Sequence, residues 1–120
     1  MTNFQHTPTD RALLIFSGSN ERAIVAFCRV LRVLGIVPLI VARTGQDVIF
    51  RTRYRQHVVA TRRMDSLDRD DITRCLQEAQ SRALNARLVL CPTSEFLNLF
   101  LLQNRKHFQK LGCEIPLVDL

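Results

Sequence analysis

The segment at residues 13–34 constrains the fold more than any other part of the chain. The apolar run at residues 13–16 is followed by the polar turn Ser17-Gly18-Ser19-Asn20 and then by a segment with helical periodicity. A short apolar run that ends in turn residues is typical of a parallel strand covered on both faces. Apolar residues then recur about every 3.6 positions, which predicts a helix with one buried face, closed by Gly35. The predicted buried face consists of Ile24, Phe27, Cys28, Leu31 and Leu34.

The composition is that of an ordinary globular domain. The 120 residues are 47% hydrophobic and 23% charged, which suits one domain with a buried core. The apolar stretches fall short of the roughly 20 residues that a membrane span requires. The polar N-terminus lacks the hydrophobic region of a signal peptide. We therefore expect a flexible lead at residues 1–10 and a single domain at residues 11–120, in the cytoplasm and without a membrane partner.

The chain carries a net charge of +6, and much of its basic excess falls within residues 43–63. Such a charge is compatible with nucleic-acid binding. This segment, however, offers only Tyr54 as an aromatic platform and contains no recognisable nucleic-acid-binding motif. We therefore predict a basic rim around a site for anions or phosphates, and no nucleic-acid partner. The rim would consist of Arg43, Arg51, Arg53, Arg55, Arg62 and Arg63.

The four cysteines favour free thiols in a reducing compartment. Cys28 and Cys75 lie on apolar faces of predicted helices, whereas Cys91 and Cys113 flank strand-like runs. No pair has C-x-x-C spacing, and no histidine stands at the spacing of a zinc ligand. We expect mostly buried, unpaired thiols and no metal site.

Strands are predicted in four places, each a short apolar run between turn residues. Pro38 falls at the start of the second strand, where a missing N–H is tolerated. Pro116 disfavours a central strand, so residues 113–118 are expected to form an edge strand or an exit segment. Residues 48–56 fit either a short helix or an extended segment. The predicted strands are residues 12–17, 37–42, 57–61 and 87–91.

Three helices are predicted between and after these strands, the first at residues 21–34. The second covers residues 69–84, with Ser66 or Asp68 as its N-cap. It is expected to bury Ile72, Cys75, Leu76, Ala79 and Ala83.

The third predicted helix, residues 95–111, is capped by Thr93 or Ser94 and is unusually apolar. Two interpretations stay open: the helix is well buried in a small domain, or it has a second contact face for another domain or subunit. Leu99 and Leu102 would add apolar surface beside its buried face. That buried face would consist of Phe96, Leu97, Phe100, Leu101, Phe108 and Leu111.

Alternating strands and helices with short connections predict an α/β fold with three layers. We expect a mostly parallel sheet of four or five strands with helices on both faces. The expected strand order is three-two-one-four, with the switch point between strands one and four. This order brings the turn at residues 17–20 beside the turn at residues 91–95. Two helix N-termini would then face one crevice, which favours an anion such as a carboxylate or a phosphate.

Three stretches of the chain resemble one enzyme family. They are the turn Ser17-Gly18-Ser19-Asn20 with its helix, the pair Arg53-Tyr54 before the strand at residues 57–61, and the segment Pro92-Thr93-Ser94-Glu95-Phe96-Leu97-Asn98 with Leu101-Leu102-Gln103-Asn104-Arg105. Together they resemble the N-terminal, Rossmann-like pre-ATP-grasp domain of ATP-grasp enzymes, particularly the carbamoyl-phosphate-synthase-like carboxylate–amine ligases. The resemblance covers residues 12–118, and the third stretch is the most specific.

The resemblance implies a domain that binds substrate but is inactive alone, with no catalytic residue of its own. The full-length protein would activate a carboxylate with ATP and magnesium as an acyl phosphate, which an amine then attacks. This chain would hold no cofactor, because the groups that bind ATP and magnesium belong to C-terminal ATP-grasp domains of the same protein. Those domains and a small carboxylate or amine substrate are the implied partners, with a homodimer left open.

The resemblance also implies which residues contact the substrate. Ser19 and Asn20 would offer hydrogen bonds, although a helix cap alone explains both. Glu95 would hold a cationic amine or would only stabilise the start of its helix. The implied substrate-binding residues are Gly18, Ser19, Asn20, Thr93, Ser94 and Glu95.

The alternative is a stand-alone Rossmann-like module that binds a nucleotide or an anion without catalysis. A dinucleotide site of the usual kind is disfavoured, because Gly18 is the only glycine of the first turn. A receiver-like interaction domain is disfavoured too, since strand one ends without an acidic cluster and strand three ends in Thr61-Arg62-Arg63.

Overall fold

The computed structural model describes residues 11–18, 21–84 and 86–116. Its sheet has five parallel strands in the order β3-β2-β1-β4-β5, which confirms the predicted α/β class and strand order. The last two-residue strand lies at the edge, consistent with the effect of Pro116. The strands are β1 (Arg11–Phe16), β2 (Leu39–Ala42), β3 (Val58–Thr61), β4 (Arg87–Cys91) and β5 (Cys113–Glu114).

Helices connect and cover the strands. The ambiguous segment at residues 48–56 forms two short 3-10 helices, Val48–Arg51 and Arg53–His57. Among the described residues, no helix combines the length and the apolar character that crossing a membrane requires. The α-helices are α1 (Glu21–Val33), α2 (Arg69–Arg82), α3 (Glu95–Gln103) and α4 (Arg105–Lys110).

Gly35 ends α1 as predicted. Its φ of +76° lies in the left-handed region. The N–H of Gly35 donates to Arg32 O at 3.1 Å, and the N–H of Ile36 donates to Leu31 O at 2.8 Å. These two bonds form a Schellman motif, which satisfies the last carbonyls of the helix and turns the chain toward β2.

The core has two parts, one on each face of the sheet. One face of the sheet packs against α1 and the 3-10 helices, where Ile24, Cys28 and Tyr54 are buried. The opposite face packs against α2, α3 and α4. The buried residues predicted for α2, from Ile72 to Ala83, are all in this second cluster. Helices on both faces give the three layers that the sequence predicts.

The predicted buried face of α1 is wrong for two of its five members. Ile24, Cys28 and Leu31 are buried, but Phe27 is 39% exposed and Leu34 is 65% exposed. The spacing of apolar residues identifies those that lie on the same side of α1. The β-sheet, however, covers only a narrow strip of that side of the helix. Phe27 and Leu34 lie beyond its edge and form an exposed apolar face with Val30 and Val33.

The prediction of one continuous third helix is wrong, because the helix is interrupted at Asn104. The side-chain amide Nδ2 of Asn104 donates a hydrogen bond of 2.9 Å to Phe100 O, in addition to the main-chain hydrogen bonds of the helix. An asparagine side chain that bonds to the backbone in this way competes with helix continuation. α3 therefore ends at Gln103, and α4 begins at Arg105 with Phe108 buried.

Phe96 is a further correction, since it is 83% exposed rather than part of the buried face of α3. Leu97 and Leu101 are buried and lie one turn apart, so they fix the side that faces the sheet. Phe96 precedes Leu97 by one residue and is therefore about 100° away around the helix. Leu99 is also exposed, which leaves apolar surface on the outer side of α3.

Candidate functional site

A cleft of about 510 Å³ lies at the carboxyl ends of the strands. Parallel sheets bind ligands at this edge, at the point where the strand order reverses. Here the reversal lies between β1 and β4, as the sequence predicts. The polar lining of the cleft includes Ser17, Gly18, Arg43, Arg62, Thr93 and Ser94.

A hydrogen bond joins the two turns that were expected to meet. Thr93 Oγ1 donates to Phe16 O at 2.7 Å. The N–H of Ser17 donates to Val41 O at 2.9 Å, which extends the pairing of β1 with β2 to the cleft. The turn after β1 and the turn after β4 therefore form opposite walls of the cleft.

The wall after β4 starts α3. Ser94 is the N-cap: its Oγ accepts from the N–H of Leu97 at 3.2 Å, and its main-chain oxygen accepts from Asn98. The first N–H groups of a helix have no acceptor within it, so they favour an anion nearby. Glu95 lies in the first turn with an exposed side chain and outside the lining of the cleft. Its position fits a residue that stabilises the helix start.

The wall after β1 depends on Gly18. Its φ of +113° is unfavourable for other residues, and a Cβ at this position would clash with the side chain of Arg43. The close approach of Arg43 to the main chain of this turn therefore requires glycine. Ser19 and Asn20, the other predicted contacts of this turn, lie outside the described residues.

Asp47 is a buried carboxylate behind this wall, and sequence reasoning assigned it only to a turn. Its Oδ1 accepts from Ser17 Oγ at 3.0 Å and from the N–H of Ile49 at 2.9 Å. Its Oδ2 accepts from the N–H of Arg43 at 2.9 Å. Asp47 thus fixes the Ser17 hydroxyl and the main chain of Arg43. An aspartate just before a helical segment is a capping signal, and this signal was available in the sequence.

Two arginines provide the positive charge of the cleft. Arg43 follows β2 and Arg62 follows β3, and both contact Asp65. Arg43 Nη2 lies 3.3 Å from Asp65 Oδ1, and Arg62 Nη2 donates to Asp65 O at 3.0 Å. Burial, together with the positive charge of Arg43, lowers the pKa of Arg62 from its usual value. Only these two of the six arginines predicted to form a basic rim line the cleft.

Asp71 anchors the loop that carries Arg62 and Asp65. Its carboxylate accepts from the N–H groups of Arg63 and Met64 and from the guanidinium of Arg74, at 2.8 to 3.1 Å. Burial acts to raise the pKa of Asp71, but the hydrogen bonds from Met64, Arg74 and Arg63 outweigh it, so the pKa is lowered. The loop therefore holds Arg62 at a fixed place beside the cleft.

The cysteines are placed for packing. All four are unpaired, as predicted, and three are buried. Burial raises the pKa of Cys75, Cys91 and Cys113 to about 11, which keeps these thiols protonated near neutral pH. Within the part of the chain that the structure describes, no three His, Cys, Asp or Glu side chains are grouped closely enough to hold a metal ion.

A larger open depression of about 1180 Å³ lies at the amino edge of the sheet, lined by residues such as Arg11, Arg87 and Glu114. Arg11 Nε pairs with Glu114 there at 2.9 Å. Size alone favours this depression, but position favours the smaller cleft, because ligands of parallel sheets bind at the carboxyl ends of the strands. We therefore take the cleft as the candidate site.

Comparison of the chain with protein-family models, with curated proteins and with solved structures gave no match. The candidate site is therefore defined by its own geometry: two guanidinium groups, hydroxyl groups and the first turn of α3 surround one cleft. This arrangement is suited to holding an anion.

Proposed function

We propose that this chain is the N-terminal, substrate-binding domain of an ATP-dependent carboxylate–amine ligase of the ATP-grasp class. In this proposal the cleft holds an anionic group of the substrate. The hydrogen bond from Thr93 Oγ1 to Phe16 O carries the proposal. It joins the third stretch of the resemblance to the last residue of β1, directly before the first stretch, and residues of both stretches line the cleft.

The chemistry of the cleft supports a binding role. Arg43 and Arg62 supply fixed positive charge, and Ser17 and Ser94 supply hydroxyl groups. An arginine forms strong charge-assisted hydrogen bonds with a carboxylate or a phosphate. The domain would therefore bind and orient the substrate rather than transform it.

The remaining chemistry is assigned to further domains of the same protein. These domains would hold ATP and magnesium and form an acyl phosphate, which an amine then attacks. The exposed apolar faces of α1 and α3, with Val33 and Leu99 as examples, are surfaces of the kind that another domain or a second subunit covers. The protein would act in the cytoplasm, where its four thiols stay reduced.

The test uses the protein with everything that its reading frame encodes. A panel of small carboxylates is supplied with ATP, magnesium and hydroxylamine, and ADP and hydroxamate are measured. We expect one class of carboxylate to give equal amounts of ADP and hydroxamate, because hydroxylamine traps an acyl phosphate. A reading frame without an ATP-binding region, or ADP formation that ignores the carboxylate, would overturn the proposal.

A second candidate function is a stand-alone anion-binding module. The observation that favours it is that this chain alone supplies both arginines and both walls of the cleft. Isothermal titration of the domain with inorganic phosphate, beside sequencing of the reading frame, separates the two candidates. Binding by a protein that consists of this domain alone supports the module, whereas a downstream ATP-binding region supports the ligase.

A further inference from the structure

We propose that the cleft takes a dianionic phosphate group, and that Asp65 is the internal counter-ion that this group displaces from Arg43. The inference rests on the proposed function, since it names the ligand group of the same cleft. It follows from how the two arginines and Asp65 are placed around that cleft.

The first step is the convergence of the two guanidinium groups. Arg43 and Arg62 come from the ends of neighbouring strands, and each contacts a different atom of Asp65. Arg43 Nη2 meets the carboxylate of Asp65, while Arg62 Nη2 meets its main-chain oxygen. All three residues line the cleft, so both positive charges face the same small volume.

The second step is the balance of charge. The side chains that line the cleft are two arginines and one carboxylate, a net charge of +1, and the Asp71 carboxylate near Arg62 is already paired with Arg74. Burial is the main cause of the lowered pKa of Arg62, and the positive charge of Arg43 adds to it. A phosphate monoester carries a charge of about −1.5 to −2 near neutral pH. A phosphate that replaces the Asp65 carboxylate would therefore neutralise the charges of both arginines. A substrate carboxylate would bring only the single negative charge that Asp65 already supplies.

The third step is that Asp65 is easily displaced. Its side chain is 84% exposed and that of Arg43 is 44% exposed, so water screens their ion pair. The main chain of this loop is held separately by the carboxylate of Asp71, through Arg63 N and Met64 N. The Asp65 side chain can therefore rotate away while Arg62 stays in place.

The opposite wall offers further donors to the same group. Ser94 Oγ accepts from the N–H of Leu97, which leaves its own hydroxyl hydrogen for an acceptor in the cleft. The N-terminus of α3 adds partial positive charge next to it. A phosphate has three acceptor oxygens and can use donors from both walls at once, which a carboxylate with two oxygens does less well.

The test is isothermal titration of the domain at about pH 8, where phosphate is largely dianionic. Inorganic phosphate and glycerol phosphate are compared with acetate, a monoanion. We expect at least one of the two phosphates to bind about tenfold more tightly than acetate, because it meets two arginines instead of one. Equal affinity for acetate and for both phosphates would overturn the inference.

Matched variants test the role of Asp65. Asp65→Asn removes the counter-ion, and we expect phosphate to bind about fivefold more tightly. Asp70→Asn is the control, because it removes the same charge from an exposed position at the start of α2. Arg62→Gln and Arg43→Gln should each weaken phosphate binding about tenfold. If Asp65→Asn and Asp70→Asn bind phosphate equally, Asp65 is not the displaced group and the inference fails.

The result of the phosphate titration can be distinguished from the result of the ligase test. Phosphate binding is measured without ATP, whereas the ligase test measures ADP and hydroxamate. Preference for phosphate without ligase activity would refute only the ligase, and ligase activity without that preference would refute only the inference. Thermal unfolding of each variant confirms that the domain is folded before it is titrated.

Discussion

The hydroxyl of Thr93 donates a hydrogen bond of 2.7 Å to the main-chain oxygen of Phe16. Phe16 is the last residue of β1, and Thr93 lies in the turn that follows β4. Neighbouring parallel strands place these two ends side by side. The bond then fixes the two walls of the cleft relative to each other, so its loss should affect both stability and binding.

Replacing this hydroxyl tests that role. Thr93→Val keeps the shape of the side chain but leaves Phe16 O without its donor. We expect the free energy of unfolding in urea to fall by about 1 kcal/mol. Thr93→Ser keeps the hydroxyl and should retain most of the stability. A loss of stability in Thr93→Ser without a loss in Thr93→Val would show that the methyl packing, and not the hydrogen bond, is what matters.

The pair Ser17 and Asp47 should behave as a coupled unit. Ser17→Ala and Asp47→Ala each remove a partner of the same buried hydrogen bond, whereas an asparagine would keep an acceptor oxygen. A double-mutant cycle in urea should give a coupling free energy of about 1 kcal/mol. Asp47→Ala should also be the more harmful single change, because Asp47 accepts two further main-chain hydrogen bonds. Additive losses would contradict the pairing.

The lowered pKa of Asp71 predicts an acid-sensitive contribution to stability. The unfolded chain binds a proton on this carboxyl more readily than the folded chain, so the contribution is complete above about pH 5 and is lost as the pH falls below the ordinary carboxyl range. Asp71→Asn should therefore lower the free energy of unfolding by about 2 kcal/mol at neutral pH.

The difference between Asp71→Asn and the unchanged protein should shrink steadily as the pH is lowered. Urea unfolding at several pH values measures it. Asp70→Asn is the control, since Asp70 lies next in sequence but is exposed. A gap between Asp71→Asn and the unchanged protein that stays constant down to about pH 3 would contradict the assignment.

The thiols should react slowly in the folded protein. With a pKa of about 11, Cys75, Cys91 and Cys113 are thiolate in only about one molecule in a thousand at pH 8. Burial also raises the pKa of Cys28. Alkylation with iodoacetamide, followed by mass spectrometry, should label all four cysteines rapidly in urea and none of them rapidly in buffer. Fast labelling of one cysteine in buffer would show an exposed thiolate.

The strand order and the place of the cleft were predictable from the sequence. Short apolar runs define β1 and β4, and the switch point follows from the order of connections. The N-caps of α2 and α3, Asp68 and Ser94, were each one of two candidates in the sequence. These features are local, because each depends on a few neighbouring residues.

Features that depend on contacts distant in sequence were not predictable. Periodicity placed Phe27 and Phe96 on apolar faces, but it does not say how wide a strip the sheet covers. The helix break at Asn104 is local, but hydrophobic periodicity gives no sign of it, because it accompanies one side-chain hydrogen bond to Phe100 O. The contact of Arg43 with Asp65 joins two loops, so no local pattern indicates which arginine of the basic segment reaches the cleft.

The central position of β1 has a consequence for how the protein is made. Of the five strands, β1 is synthesised before its partner β2, and its other edge cannot pair until β4 has been synthesised as well. The cleft therefore comes into being late, when the turn that carries Thr93 reaches Phe16. Non-local parallel pairing of this kind is slow. A ligand of the cleft would bind only chains that have completed this step. Its binding would therefore shift the folding equilibrium of newly made chains toward the folded domain.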